Sequence, residues 1–298
     1  MSMNRRQFVA AGLSLLPLSR VLGRPFDGPF TDLRGNTGYF TGQGGTIGYL
    51  VDPDALVVID TQFPATAEQC RSGLMERAGR SFDLVINTHH HGDHTSGNGV
   101  FKPHTKRILA HENVPELQRR ATAGSDNAAS QVFADTTFSD VWEEDIGGEH
   151  LRLKYYGPAH TSGDAVILFA NANVAHMGDL VFNRTPPYID RPAGASIRNW
   201  VTVLESTVND LGQDTLFIFG HSHPDFPVTG SREDLLVQRD FLTGLLEYVQ
   251  KGISAGSSVE ELIGVEHIPG FPDHQHPDRR NVLQNAIRTA YEELTADQ

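Results

Sequence analysis

The chain has 298 residues, 39% of them hydrophobic and 20% charged, with a formal net charge of −13. That length suits one large domain or two small ones, and the composition is that of a globular protein. The acidic balance argues against nucleic-acid binding, which shows itself as a basic patch or stripe, and implies little attraction to anionic polymers or membrane surfaces.

In chain order, Asn4-Arg5-Arg6-Gln7-Phe8 precedes an apolar stretch, Val9 to Leu18, interrupted by Ser14, and Val21-Leu22-Gly23 offers small residues before a cut. This reads as an export signal with a charged start, an apolar middle and a cleavage site. The paired arginines resemble the twin-arginine address. The apolar part is shorter than the roughly 20 residues that a membrane-spanning helix needs. The expectation is therefore loss of residues 1–23, a periplasmic chain starting near Arg24 without a lasting membrane anchor, and one domain over 24–298. An uncleaved N-terminal anchor is the alternative.

Thr46 to Val51 and Leu56 to Ile59 are β-branched runs around Asp52-Pro53-Asp54, a hairpin with turn chemistry at its centre. Pro64 opens a helix to Ala78, a position where its missing N–H costs nothing. That helix carries Cys70, which as a lone cysteine makes neither an internal disulfide nor a thiolate zinc site; it is expected to be half-buried and without a chemical role. The apolar run Phe82 to Ile86 reads as a strand leading into Thr88-His89-His90-His91-Gly92-Asp93-His94, with a short helix after Asp93. A strand over 107–110, a helix over 111–122 and a polar loop over 121–134 follow. Residues 136–142 and 151–156 read as strands, the second running into Gly157-Pro158-Ala159-His160-Thr161-Ser162-Gly163-Asp164. A strand pair over 165–170 and 174–177 ends at Gly178-Asp179. Beyond an irregular proline-rich loop (183–195) come a helix (196–211) and a strand (215–219) ending in Gly220-His221-Ser222-His223. Ser231 caps a long helix to about Lys251, with Asp234 completing a capping box, and 278–294 forms an amphipathic helix. The strand–helix alternation argues for an α/β architecture.

The unusual residues thus collect at four strand ends. Imidazole nitrogens and carboxylate oxygens are ligands that zinc and similar divalent ions accept. In a tight loop leaving a strand, alternate side chains converge, so His89 and His91 can share one ion while Asp93 and His94 face a second. A histidine tract of only compositional meaning is the plain alternative, but the His-x-His-x-Asp-His spacing is more specific than a run of histidines. His160, Asp179 and His221 are each weak signals alone: a core histidine, a turn cap, a loop histidine. His90 is expected to point away from the ligands, beside them or into solvent. His223 competes with His221. Thr161 and Asp164 are candidates to orient ligand imidazoles. His104, His111, His150, His176, His267, His274 and His276 read as ordinary.

Taken together and in this order, these motifs resemble the metallo-β-lactamase superfamily over nearly the whole chain beyond residue 24. The resemblance implies a four-layer αββα sandwich. It places His89, His91 and His160 on a first metal and Asp93, His94 and His221 on a second. Asp179 would bridge both ions, a hydroxide would be shared between them, and Asp93 would aim it and carry a proton as the catalytic side chain. The ions implied are two zincs, with iron or manganese as substitutes. The activity implied is hydrolysis of a small carbonyl substrate: a thioester, ester, lactone or β-lactam. Asp179 stands where some lactamases carry a thiolate, which points toward the glyoxalase II-like and exported quinoprotein relay-system metallohydrolases. The alkylsulfatase and nuclease branches are set aside for their long insertions. A mononuclear iron oxidoreductase, such as a persulfide dioxygenase, and a non-catalytic periplasmic metal-binding module are the alternatives. Pocket walls are expected from 121–134 and 183–195, with Phe133, Phe182, Tyr188 and Trp200 as apolar candidates.

Overall fold

The computed structural model describes residues 29–126, 128–275 and 279–296; the export signal read at 1–23 lies outside them. Seven strands form the first sheet: β1 (Phe30–Asp32), β2 (Thr37–Phe40), β3 (Ile47–Asp52), β4 (Ala55–Ile59), β5 (Leu84–Ile86), β6 (Ile108–His111) and β7 (Thr136–Phe138), in that spatial order. The first four run antiparallel and the last four parallel. The second sheet has the order β15-β13-β11-β10-β9-β8, from β8 (Val141–Ile146), β9 (Glu149–Tyr155), β10 (Ala165–Phe169), β11 (Val174–His176), β13 (Leu216–Ile218) and β15 (Thr229–Gly230). A small parallel pair, β12 (Phe182–Asn183) and β14 (His221–Ser222), sets Phe182 opposite His221. The helices are α1 (Pro64–Ala78), α2 (Gly92–Thr95), α3 (Asn98–Phe101), α4 (Val114–Thr122), α5 (Ile197–Asp210), α6 (Arg232–Ser254), α7 (Val259–Leu262) and α8 (Arg280–Thr295).

Period-two alternation along the strands assigns the faces. On β4, Ala55, Val57 and Ile59 share one apolar cluster with Leu151, Leu153, Ile167 and Phe169 of the second sheet. Leu56 and Val58 point the other way, into a cluster with Cys70 and Leu74 of α1. On β10, Val166 joins Trp200, Leu204, Phe241, Leu245 and Leu283 of α5, α6 and α8. The layers are therefore helix, sheet, sheet, helix, an αββα sandwich. The local signals hold where they were strong. The Asp54 N–H donates to the Asp52 carboxylate at 3.0 Å in the hairpin turn, and the Ser231 N–H donates to Asp234 at 2.9 Å in the capping box.

Three readings need correction. Residues 136–142 are not one strand: β7 ends at Phe138 in the first sheet, and β8 starts at Val141 in the second. The chain crosses between layers at Ser139-Asp140, which an alternating pattern cannot reveal. His111 belongs to β6 rather than to the helix, which begins at Val114. Cys70 is fully buried, not half-buried, and burial pushes its thiol pKa well up. No described helix is long and apolar enough to cross a membrane.

Candidate metal centre

The centre begins with Asp60, directly after β4. Its backbone is left-handed (φ 63°), a conformation that an aspartate tolerates but that costs free energy. Asp60 is fully buried, and its carboxylate accepts from the Thr88 N–H (2.8 Å), the Thr88 hydroxyl (2.7 Å) and His94 Nδ1 (2.7 Å). It thereby fixes both ends of the histidine loop. Asn87 and Asn98 exchange side-chain hydrogen bonds of 3.0 and 2.9 Å beneath that loop. Two close approaches also need glycine. A Cβ on Gly45 would lie 2.1 Å from the His94 ring, and one on Gly220 would lie 2.1 Å from Asp179 Oδ1.

His89, His91, His160 and Asp179 come together in one group, and Asp93, His94 and His221 in another. In the first, His91 Nδ1 lies 3.1 Å from His89 Nε2 and 2.9 Å from His160 Nε2. The outer nitrogens settle the tautomers. His160 Nδ1 faces the Tyr188 carbonyl at 2.8 Å, which can only accept. His91 Nε2 faces the Asp190 carboxylate at 2.9 Å. His89 Nδ1 faces the Thr88 hydroxyl at 3.0 Å, whose own proton goes to Asp60. Each outer nitrogen therefore carries the proton, and each inner nitrogen presents a bare lone pair. Three lone pairs aimed at one point repel unless a cation lies among them, so these residues fit a metal ion. Outer acceptors of this kind also set the orientation and basicity of metal-binding imidazoles.

Asp179 reaches both groups: Oδ2 lies 3.5 Å from His160 and 3.4 Å from His221, and Oδ1 lies 3.1 Å from His94. His94 Nε2 and Asp179 Oδ1 are buried and lack hydrogen-bond partners despite that approach. Asp93 completes the second group, 3.1 Å from His221 Nε2. Burial lowers the pKa of His89, and neighbouring His94 adds to the effect. Burial, then His91, brings His160 down to about 3. Burial opposes charge on His94 too, but Asp179, Asp60 and Asp93 outweigh it and raise its pKa. The same contest, won by Asp179 and Asp93, lifts His221 to about 9.

Among the other candidates, His90 is buried and not in solvent, its Nε2 3.5 Å from Asp190. His223 stays outside both groups and accepts from the Asp225 N–H at 3.2 Å. Thr161 and Asp164 bond to each other, backbone and hydroxyl both at 2.7 Å, and shape their own loop rather than orient an imidazole. The orienting groups are Asp60, Thr88, the Tyr188 carbonyl and Asp190. Asp60 had a weak signal, as an acid ending a strand; Asp190, inside an irregular loop, had none.

A cavity of about 530 Å³ opens on the centre, lined by Phe63, Asp93, Asp179, Phe182, Tyr188, His221, Arg279 and Val282, among others. No residue of 121–134 lines it. Phe133 lies instead under the Arg119 guanidinium, 4.7 Å away. Trp200 is core, donating Nε1–H to the Leu180 carbonyl at 3.0 Å. Phe182 stacks on His221 with ring centroids 5.2 Å apart and planes 17° apart.

Fold and site together define an αββα protein with histidine and aspartate groups that could hold metal ions. Residues 41–236 match the family model of the metallo-beta-lactamase superfamily, and the chain belongs to that superfamily. It is 31% identical over 176 residues to the alpha subunit of 2,4-dinitroanisole O-demethylase from Nocardioides sp. (strain JS1661), covering 56% of this chain and 49% of that protein. It is 26% identical over 151 residues to the hydroxyacylglutathione hydrolase of Acidiphilium cryptum (strain JF-5), 51% of each. The chain thus spans about half the length of these two curated relatives. Its fold resembles that of the sec-alkyl sulfatase PisA1, with a TM-score of 0.68 at 15% identity over 89% of this chain and 50% of that one. The alkylsulfatase branch, set aside for its insertions, therefore shares the fold across most of this chain.

Proposed function

We propose that this protein is a dinuclear metal-dependent hydrolase, zinc being the first expectation, acting on a small carbonyl substrate. The observation that carries the reading is the convergence of three bare imidazole nitrogens beside a carboxylate that also reaches a second ligand group. His89, His91 and His160 would hold the first ion, Asp93, His94 and His221 the second, and Asp179 both. Such a pair of ions acidifies a water to near neutrality and polarises a substrate oxygen.

The chain's own residues supply the rest. Asp93 borders the cavity with its side chain 29% exposed, so it can take a proton from an entering water and pass it to a leaving group. Asp60 and Asp190 hold His94 and His91 in their orientations. Tyr188, 43% exposed at the mouth, offers an apolar face to the substrate. The likeness to a hydroxyacylglutathione hydrolase supports a thioester among the carbonyl substrates. The higher identity to a 2,4-dinitroanisole O-demethylase subunit favours a second reading, cleavage of an activated aryl methyl ether by the same site.

A panel of thioester, ester, lactone, β-lactam and 2,4-dinitroanisole, given to the zinc-loaded protein, separates the two. Turnover of a carbonyl compound that vanishes with chelator is expected. Oxygen uptake by an iron-loaded protein with one ion per chain, and no hydrolysis of any panel member, would sink the reading in favour of an oxidoreductase. We place the enzyme in the periplasm on the strength of Arg5-Arg6 and the short apolar stretch behind them. Arg5→Lys with Arg6→Lys should leave the chain in the cytoplasm; normal export of the double variant would refute that location.

A further inference from the structure

His176 ends β11, three residues before Asp179. Its register partners, Ile167 on β10 and Ile218 on β13, are apolar and buried. The imidazole is fully buried in the same row, where a polar ring costs free energy unless its nitrogens are paired. Nδ1 accepts from the Gly178 N–H at 3.1 Å, so Nε2 carries the proton and donates it to the Thr46 carbonyl at 3.0 Å. Room for the imidazole is made on the facing sheet, where a Cβ on Gly48 of β3 would lie 2.7 Å from His176 Cδ2.

These two bonds close a larger circuit. The Thr46 N–H donates to the Gly220 carbonyl at 2.9 Å, and the Gly220 N–H donates to the Gly178 carbonyl at 2.8 Å. The path thus returns to His176 through Gly178. Asp179 follows Gly178 and His221 follows Gly220, so the circuit ties the backbone of the bridging carboxylate to that of an outer imidazole. Gly45 extends the tie to the other side of the outer group. Its N–H donates to the Asp93 carbonyl at 3.1 Å, and its carbonyl accepts from Nε2 of buried Gln62 at 2.6 Å. Every backbone N–H and C=O of Gly45-Thr46 is therefore engaged, either by the ligand segments or by the side chains of Gln62 and His176.

We propose that His176 is a positioning residue: as the side chain that closes this circuit, it fixes the spacing of Asp179 and His221 and so the geometry in which the outer group takes an ion. It lies in neither ligand group and does not line the cavity over the centre; it acts through Gly178 and Thr46. An apolar residue in its place would leave the Gly178 N–H and the Thr46 carbonyl without those partners. The inference rests on the two-ion reading for the outer metal; the spacing itself does not.

Cobalt(II) added to the metal-free protein reports each ion by its visible absorption. In His176→Leu the first equivalent should absorb as in the parent, while the absorption of the second changes. Competition with a chromophoric chelator should show the second ion held about 10- to 100-fold less tightly. His176→Gln, whose amide offers one acceptor and one donor, should restore part of the loss. Ile167→Ala loosens the same interior without touching the circuit; it should unfold at a lower temperature and keep both absorptions. Equal weakening of both ions in His176→Leu, or a second ion bound as in the parent, overturns the inference. Amide hydrogen exchange of the metal-free protein reads the circuit without metal. Gly220, whose own acceptor is untouched, should lose protection in His176→Leu together with Gly178. Unchanged protection at Gly220 overturns the inference. Should His176→Leu not fold, Gly48→Ala, which crowds the imidazole out of place, is held to the same outcomes. If the parent takes up a single cobalt while that loss of protection persists, the two-ion reading fails and the role of His176 in the spacing remains.

Discussion

The two ligand groups of the centre use the same residue types but are held in opposite electrostatic states. His89 and His160 are buried and His91 borders the cavity, and the outer nitrogens of the three donate to a hydroxyl, a carbonyl and a carboxylate respectively. Burial keeps His89 and His160 uncharged. Asp93, His94 and His221 lie among three carboxylates, which favour protons on His94 and His221. Asp93 and His221 are also partly open to the cavity, with side chains 29% and 21% exposed. The inner group is ready for a cation as it stands; the outer group must first give up protons. The inner group is a fixed support, and the outer one is where metal, substrate and solvent meet.

Removing the link between the two breaks the comparison most severely. Asp179→Ala takes a carboxylate from both groups, so activity should fall by orders of magnitude. At limiting zinc the variant should approach one ion per chain, and any residual rate should rise toward higher pH. Emission spectrometry and a pH–rate profile check this, and two tightly held ions with normal turnover would defeat it.

The supports can be cut one at a time. Asp190→Ala removes the acceptor behind His91 and should loosen the inner ion. Asp60→Ala removes the acceptor behind His94 and should loosen the outer one. Each loss should be about 10- to 100-fold in metal affinity. Asp60→Ala should also destabilise the metal-free fold by about 2–5 kcal/mol, because buried donors of Thr88 and His94 lose their acceptor. Competition with a chromophoric chelator and urea unfolding read both effects. Loosening of the same ion by both variants would erase the distinction between the groups.

The pH dependence sharpens it further. His94 and His221 have raised pKa values in the metal-free fold, His221 near 9. Their protonated contacts therefore stabilise that fold fully below about pH 6.5, the ordinary histidine value, and each contribution is lost as pH rises through that histidine's own raised pKa, about 9 for His221. Zinc competes with the same protons, so affinity for the outer ion should climb between pH 7 and 9 while the inner ion changes little. Thermal unfolding with and without zinc, and zinc stoichiometry at pH 6.5 and 9, measure the two trends. Parallel pH slopes for both ions would count against it. The smallest effect expected is at the mouth: Tyr188→Ala should raise KM severalfold with kcat less affected, and unchanged kinetics on the true substrate would take Tyr188 out of the binding surface.

How much of this was legible in the sequence follows from the range of each interaction. The hairpin at Asp52-Pro53-Asp54, the caps at Pro64 and Ser231, and the crowding of histidines over 89–94 are set by neighbours a few residues apart, and composition and spacing display them. His160, Asp179 and His221 were visible because each follows a strand, and strand ends of one sandwich face one edge. Tertiary structure alone decided what lies across the fold. Asp60 is 34 positions from His94, and Asp190 is 99 from His91. Ser139-Asp140 takes the chain from one sheet to the other, and the cavity wall comes from Phe63, Arg279 and Val282 rather than from 121–134. Chain spacing carries no record of such contacts, because an acceptor behind an imidazole needs only to be an oxygen at the right point in space. The sequence by itself determined which side chains could hold metal; packing of the four layers determined which nitrogens face inward and which carry protons.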